Sequence, residues 1–174
     1  MAPEDDARRG RWAVAAMFFV NGFLVGSWAP QIPLVLPRLS ITETTLGLLI
    51  LVFGVGAIAA MPYAGRLIGR HGSARIVTWL APAASLALTA VVLSPNVALT
   101  AVALALFGGL AGAMDVAMNA NAVEVEQRLR RAVMSSSHGF WSIGGFAGSA
   151  LGGPAIARFG ADWHAVAASL AGLG

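Results

Sequence analysis

Apolar and polar positions divide the chain into five long apolar segments and the start of a sixth. They lie at roughly 12–31, 45–65, 76–94, 97–122 and 134–157, with the sixth running from 164 to 174. A helix crosses about 30 Å of hydrocarbon with about 20 residues, the length scale of each of the five. The segments are too long and too continuously apolar for barrel strands, whose side chains alternate. Helices then remain as the way to satisfy the backbone in lipid. The pattern predicts an all-α, polytopic membrane helix bundle over residues 12–174, preceded by a polar tail at 1–11. Pro30, Pro33 and Pro37 are expected to end the first segment. Thr42, Thr44 or Thr45 can cap the second, with Glu43 in its first turn. Ser94, Pro95 and Asn96 form a tight turn, so the third and fourth segments make an antiparallel hairpin.

Composition supports lipid as the solvent. Apolar residues make up 57% of the chain and charged residues 11%, where soluble domains carry about 25% charged. The absence of cysteine excludes disulfides, thiolate metal sites and a thiol nucleophile. Lysine is also absent. Arg8, Arg9, Arg11, Arg66, Arg70, Arg75, Arg128, Arg130 and Arg131 all fall on one side of the membrane, and Arg38 and Arg158 on the other. The richer side is expected to be cytoplasmic, with the N-terminus inside and the protein a multi-pass component of the plasma (inner) membrane. No basic aromatic patch points to nucleic acid. His71, His138 and His164 are scattered along the topology, and no metal cluster, cofactor loop or nucleophile–base pair appears, so neither an enzyme nor a cofactor is expected. The rival reading of the first segment is a cleaved signal peptide with small residues near Ser27–Ala29. Asn21 and Gly22 in its middle suit helix packing better.

Lipid offers no hydrophobic drive between helices, so small residues must let backbones approach. Gly144, Gly148 and Gly152 repeat along one face of the fifth segment. Gly108 and Gly112 do so in the fourth, and Gly22 and Gly26 in the first. These read as close-packing faces.

One charge interrupts this apolar pattern. Asp115 sits in DVAMNANAVEVE, residues 115–126, and an intramembrane carboxylate costs roughly 3 kcal/mol. The fourth segment has its midpoint near Phe107, so Asp115 lies about 12 Å further along, at about 1.5 Å per residue. Asp115, Asn119, Ala122 and Glu126 share one helical stripe, while Asn121 and Glu124 lie on another. That end of the helix is therefore wrapped by protein or water. Hairpin symmetry with the fifth segment sets Asp115 level with residues 138–141 and makes His138 its candidate partner. An Asp115–His138 pair can hold and release a proton. The alternatives are that His138 bonds a neighbouring carbonyl and that Asp115 caps a helix or meets a loop arginine. Glu124 and Glu126 are expected to pair with Arg128, Arg130 or Arg131, and Ser135–Ser137 to cap the fifth segment. Asn21, Trp28 and Gln31 suit a small polar ligand, and Asn119 and Trp141 complete the candidate solute contacts. Asn21 equally suits helix–helix bonding, and Trp28 and Trp12 suit interfacial anchoring.

The link AGRLIGRHGSARIV, residues 64–77, resembles the signature loop of the major facilitator superfamily. Gly65, Leu67, Arg70 and Gly72 match it in register, and Arg75 supplies its late positive charge. NGFLVGSWAPQIP, DVAMNANAVEVE and MSSSHGFWSIGGFAGS are similar to the YbjJ-type and fucose-permease-like branch. Two departures stand out: Gly69 replaces the usual aspartate, which puts a locking interaction between the family's two halves in doubt, and Ala74 replaces a common basic residue.

The resemblance implies the N-terminal six-helix half of a twelve-helix transporter, cut within its sixth helix. It further implies a secondary active, proton-coupled transporter of a small polar solute such as a sugar. Its partners would be the lipid bilayer, the solute and a C-terminal half. The alternative is a non-transporting membrane module, or a half-protein that assembles with another chain.

Overall fold

The computed structural model describes residues 3–173. Residues 1 and 2 of the expected tail and Gly174 of the sixth segment lie outside the described residues. The fold is all-helical: α1 (Pro3–Trp28), a 3-10 helix (Ala29–Leu34), α2 (Val35–Leu39), α3 (Glu43–His71), α4 (Ser73–Leu93), α5 (Val97–Leu129), α6 (Met134–Phe159) and α7 (Ala161–Ala171). α1 with its continuation, α3, α4 and α5 are long and apolar enough to cross a membrane. α6 is long enough, but its N-terminal serines, His138 and its many glycines dilute its apolar character.

Three boundaries differ from expectation. Helix already leads into the first segment from Pro3, so the polar stretch before it is helical from that residue on. The prolines after Trp28 do not end that segment. They tighten it into the 3-10 turn and α2, with a proline at the start of the 3-10 turn, where its missing N–H removes no helical bond. The link between the second and third segments is not an open loop. α3 runs through Arg70 to His71, and only Gly72 breaks the helix, at φ 81°, a conformation that favours glycine. The caps at the other end follow the sequence. Thr42 accepts from the Thr45 N–H at 3.3 Å and Asn96 from the Leu99 N–H at 2.9 Å.

The bundle is organised by two glycine seams. α1 packs on α6 and α3 packs on α5, while α5 and α6, though consecutive, meet sparsely. In the first seam Gly22 lies against the Trp141 carbonyl, Gly26 against Gly145, Gly144 against the Phe19 carbonyl and Gly148 against the Phe23 carbonyl. In the second, Gly56 meets the Ala105 carbonyl, Gly108 the Phe53 carbonyl and Gly112 meets Ala57. A Cβ at any of these positions would occupy space held by the neighbouring helix. The matched numbers rise together, so the helices in each seam run parallel. The sequence located these glycine faces; it did not reveal which helix each one meets.

Side chains complete the interior in two clusters. Leu24, Trp28, Leu88, Val91, Leu104 and Phe107 pack toward the proline end. Val14, Phe18, Ile76, Met114, Met118 and Ala122 pack toward the arginine-rich end. Outward, Leu48, Leu51, Val55 and Ile58 of α3 are exposed, as are Phe146 and Leu151 of α6. Exposed apolar faces of this extent suit lipid or another membrane protein rather than water.

Candidate functional site

The polar side chains gather where α1, α5 and α6 converge. Asn21 is buried, at 4% exposure, between the two apolar clusters. Its Nδ2 donates to the Ala111 carbonyl at 3.2 Å, and its Oδ1 accepts from Trp141 Nε1 at 2.9 Å. One amide thus ties α1 to both α5 and α6. These bonds give Asn21 the helix-joining role left open by the sequence, with Trp141 as its partner on α6.

One level toward the arginines lies a second polar group. Asn119 Nδ2 donates to the Asp115 carbonyl at 2.8 Å and to Asp115 Oδ1 at 3.3 Å. Asn119 Oδ1 lies 3.2 Å from His138 Nε2. For that contact to be a hydrogen bond, His138 must carry its proton on Nε2. The edge of Phe18 meets the imidazole at a centroid distance of 5.0 Å. Asp115 and Asn119 are half-buried and His138 is exposed. Hairpin symmetry therefore misplaces the contact: His138 meets Asn119, one turn beyond Asp115, and Asn119 bridges the two titratable groups. The misplacement follows from the seams, because α6 takes its register from α1 rather than from α5.

Trp28 and Gln31 lie elsewhere, near the proline end. Trp28 is buried in the apolar cluster. Gln31 Nε2 donates to the Ala161 carbonyl at 3.0 Å and sits 2.9 Å from His164 Nδ1. His164 is buried and is a second imidazole within the apolar segments, beside His138. The five candidate solute residues accordingly separate into two groups: Asn21, Asn119 and Trp141 around α1, α5 and α6, and Trp28 with Gln31 against α7.

Residues expected to pair with arginines do something else. Glu126 Oε1 accepts from the Val133 N–H at 2.6 Å and the Met134 N–H at 3.0 Å, capping α6 across the turn. Ser136 and Ser137 do not cap that helix; their hydroxyls donate back to the Val133 carbonyl. Glu124 Oε1 accepts from Ser73 Oγ at 2.8 Å, and Asn121 Nδ2 donates to the same hydroxyl at 3.0 Å. Ser73 thereby fastens the start of α4 to the end of α5. Sequence reasoning missed this buried serine because an isolated serine after glycine carries no pairing signal. The same holds for Ser149, whose hydroxyl donates to the Gly26 carbonyl at 3.0 Å.

The residues that match the signature loop are arranged along one end of the bundle. Gly65, Leu67 and Arg70 occupy the final turns of α3, Gly72 is the break, and Arg75 lies in the first turn of α4; all five are exposed. Gly69 faces open space.

With the glycine-packed bundle and this link in place, comparison with known proteins is decisive. The model of the Major Facilitator Superfamily matches residues 14–174. The chain belongs to the major facilitator superfamily. It is 41% identical over 139 residues to an uncharacterized transporter, y4wD, of Sinorhizobium fredii, covering 80% of this chain and 37% of that protein. It is 39% identical over 132 residues to an uncharacterized MFS-type transporter of Yersinia pestis, covering 76% and 34%. Membrane protein MosC of Rhizobium meliloti is 36% identical over 160 residues, covering 91% and 38%. The chain thus spans less than two-fifths of the length of each of these relatives. Its apolar helices and its superfamily make it a multi-pass membrane protein.

Proposed function

We propose that this bundle is one half of a secondary active transporter that moves a small polar solute, such as a sugar, by proton symport. The stretches similar to fucose-permease-like proteins favour that branch and solute class. The observation carrying the proposal is the half-buried Asp115–Asn119–His138 run, where a carboxylate and an imidazole share one amide. A carboxylate at this depth is costly unless it has work or a partner. Here its neighbour is an amide that also touches the His138 imidazole. In this reading Asp115 carries the coupled proton, Asn119 relays its state, and His138 tunes it.

The solute contacts belong to the same side of the bundle. Trp141 offers an indole face, and Asn119 an amide to hydroxyl groups. Family substrate sites lie between two halves near the midplane, so a second helical half is assigned as the partner facing α1, α5 and α6. The arginine-rich end is assigned to the cytoplasm of a plasma (inner) membrane protein. A cysteine replacing exposed Asn96 is then expected to react with an impermeant thiol reagent from outside, and one replacing Arg70 is not. The reverse labelling overturns the orientation.

The coupling test uses the full-length transporter in vesicles, with a solute first found by ligand-induced thermal shift. Asp115→Asn keeps the shape and removes the titration. It is expected to abolish proton-driven accumulation while sparing solute exchange. His138→Gln is expected to move the pH optimum and leave some transport. Parent-like accumulation by Asp115→Asn at every pH refutes the coupling role.

A further inference from the structure

At the arginine-rich end of the α1–α6 seam lies an open cavity of about 940 Å³. Arg8 and Arg11 reach it from α1, and Arg128, Arg130 and Arg131 from the α5–α6 turn, with Ser136 at the start of α6. Among the side chains described, no carboxylate lines it. The two nearest acids on α5 are engaged elsewhere, Glu124 with Ser73 and Glu126 with the first amides of α6. Five guanidinium groups around one space repel each other, and solvent screening alone gives no reason for them to converge there.

The wall of this space is built. Arg11 Nη2 donates to Ser136 Oγ at 2.7 Å, and the guanidinium lies 5.7 Å from the Trp12 ring centroid and 5.9 Å from that of Phe140. Aromatic stacking of this kind holds a planar guanidinium in one orientation. Arg11 Nη1 is buried with no hydrogen-bond partner, so this fork has an unmet donor. Arg130 holds a left-handed backbone, at φ 49°, between Arg128 and Arg131. That turn presents the three arginines from a chain segment only four residues long.

We propose that this cavity is a phosphate-binding site. Guanidinium forks match phosphate oxygens bidentately, and Trp12 and Phe140 hold the Arg11 fork in place beside the cavity. The same chemistry is offered by the headgroup of an anionic phospholipid and by a soluble phosphate. The site lies at the end of the seam, beyond His138, and does not depend on the transport reading. An anion here would add a charged bridge between the start of α1 and the α5–α6 turn, which already pack together through Val14, Val125 and Val133.

The test uses the full-length transporter purified in an uncharged detergent, with thermal unfolding as the readout. One arm titrates inorganic phosphate. The other titrates phosphatidylglycerol in phosphatidylcholine micelles, with pure phosphatidylcholine as control. A rise in Tm in either arm supports the site, and the arm that responds identifies the source. Replacing Arg128, Arg130 and Arg131 together by glutamine is expected to weaken half-saturation on the order of a hundredfold, at about fivefold per charge. The conservative Arg11→Lys keeps the charge and loses the fork, and is expected to weaken it about tenfold, near the value of one charge-assisted bond. Replacing Arg66 and Arg70 by glutamine, on the same end but outside the cavity, is expected to leave it unchanged. No stabilisation in either arm overturns the proposal. So does equal stabilisation of the triple variant, an unchanged Arg11→Lys, or an Arg66/Arg70 loss as large as the triple variant's.

Discussion

The two glycine seams have the same backbone logic and different chemistry. In both, a small residue on one helix lies against a carbonyl of its partner, and the helices run parallel. Between α3 and α5 the remaining contacts are apolar, as in the Phe53–Phe107 ring pair at 5.4 Å, and no side-chain hydrogen bond joins these two helices among the described residues. Between α1 and α6 a column of polar contacts runs along the seam: Ser149 on Gly26, Trp141 on Asn21, and Arg11 on Ser136. His138 reaches across from this seam to Asn119 of α5. Small residues therefore set how closely helices approach in both places. Polar groups set where chemistry is possible, and they do so in only one. The α3–α5 pair reads as scaffold and the α1–α6 pair as the working edge.

The largest effects should come from breaking either seam. Gly148→Val and Gly108→Val each drive a branched side chain onto a neighbouring carbonyl that cannot retreat. Each is expected to destabilise the bundle by about 3 kcal/mol, at the upper end of overpacking costs. Gly54→Val, which meets nothing within 4 Å, should change stability by less than about 0.5 kcal/mol. Unfolding in mixed detergent measures all three. A tolerated Gly148→Val would remove the α1–α6 seam from the account.

A smaller effect should separate the two seams. Asn21→Leu removes both bonds that join α1 to α5 and α6. Interhelical hydrogen bonds in membranes average about 0.6 kcal/mol each, so about 1 kcal/mol is expected. Trp141 fluorescence should shift as its indole N–H loses its acceptor. An unchanged spectrum and stability would make the polar column incidental to packing.

The smallest effect concerns the turn that stands in for direct α5–α6 packing. Glu126→Gln weakens the acceptor that holds the Val133 and Met134 amides. Those two amides are expected to exchange with solvent faster, while amides in the middle of α6 keep the parent rate. Faster exchange throughout α6 would show that the helix depends on α5 more than the seams imply.

The sequence made the helices legible because lipid leaves one way to satisfy a backbone, and apolar run length reports it directly. It also made the glycine faces legible, since their four-residue repeat is local. Helix partners were not. Consecutive helices joined by a short turn invite a hairpin, and α4 with α5 obeys that rule. α6 does not, because its glycines fit α1 better than its turn fits α5. That single choice moved His138 from Asp115 to Asn119. It also set the Trp141 indole of α6 on the Asn21 amide oxygen. Glu126 was misread for a related reason: charge pairing with nearby arginines is easy to see in a sequence, while capping of a helix seven residues away is not.

The central claim is that the polar edge carries coupling and the dry seam carries only structure. The most direct measurement compares Asn119→Leu with Phe53→Leu in the full-length transporter, following gradient-driven accumulation and exchange in the same vesicles. Asn119→Leu removes the bridge between Asp115 and His138 without touching either titratable group. The account predicts that it loses accumulation and keeps exchange, while Phe53→Leu keeps both. Parent-like accumulation by Asn119→Leu would contradict it.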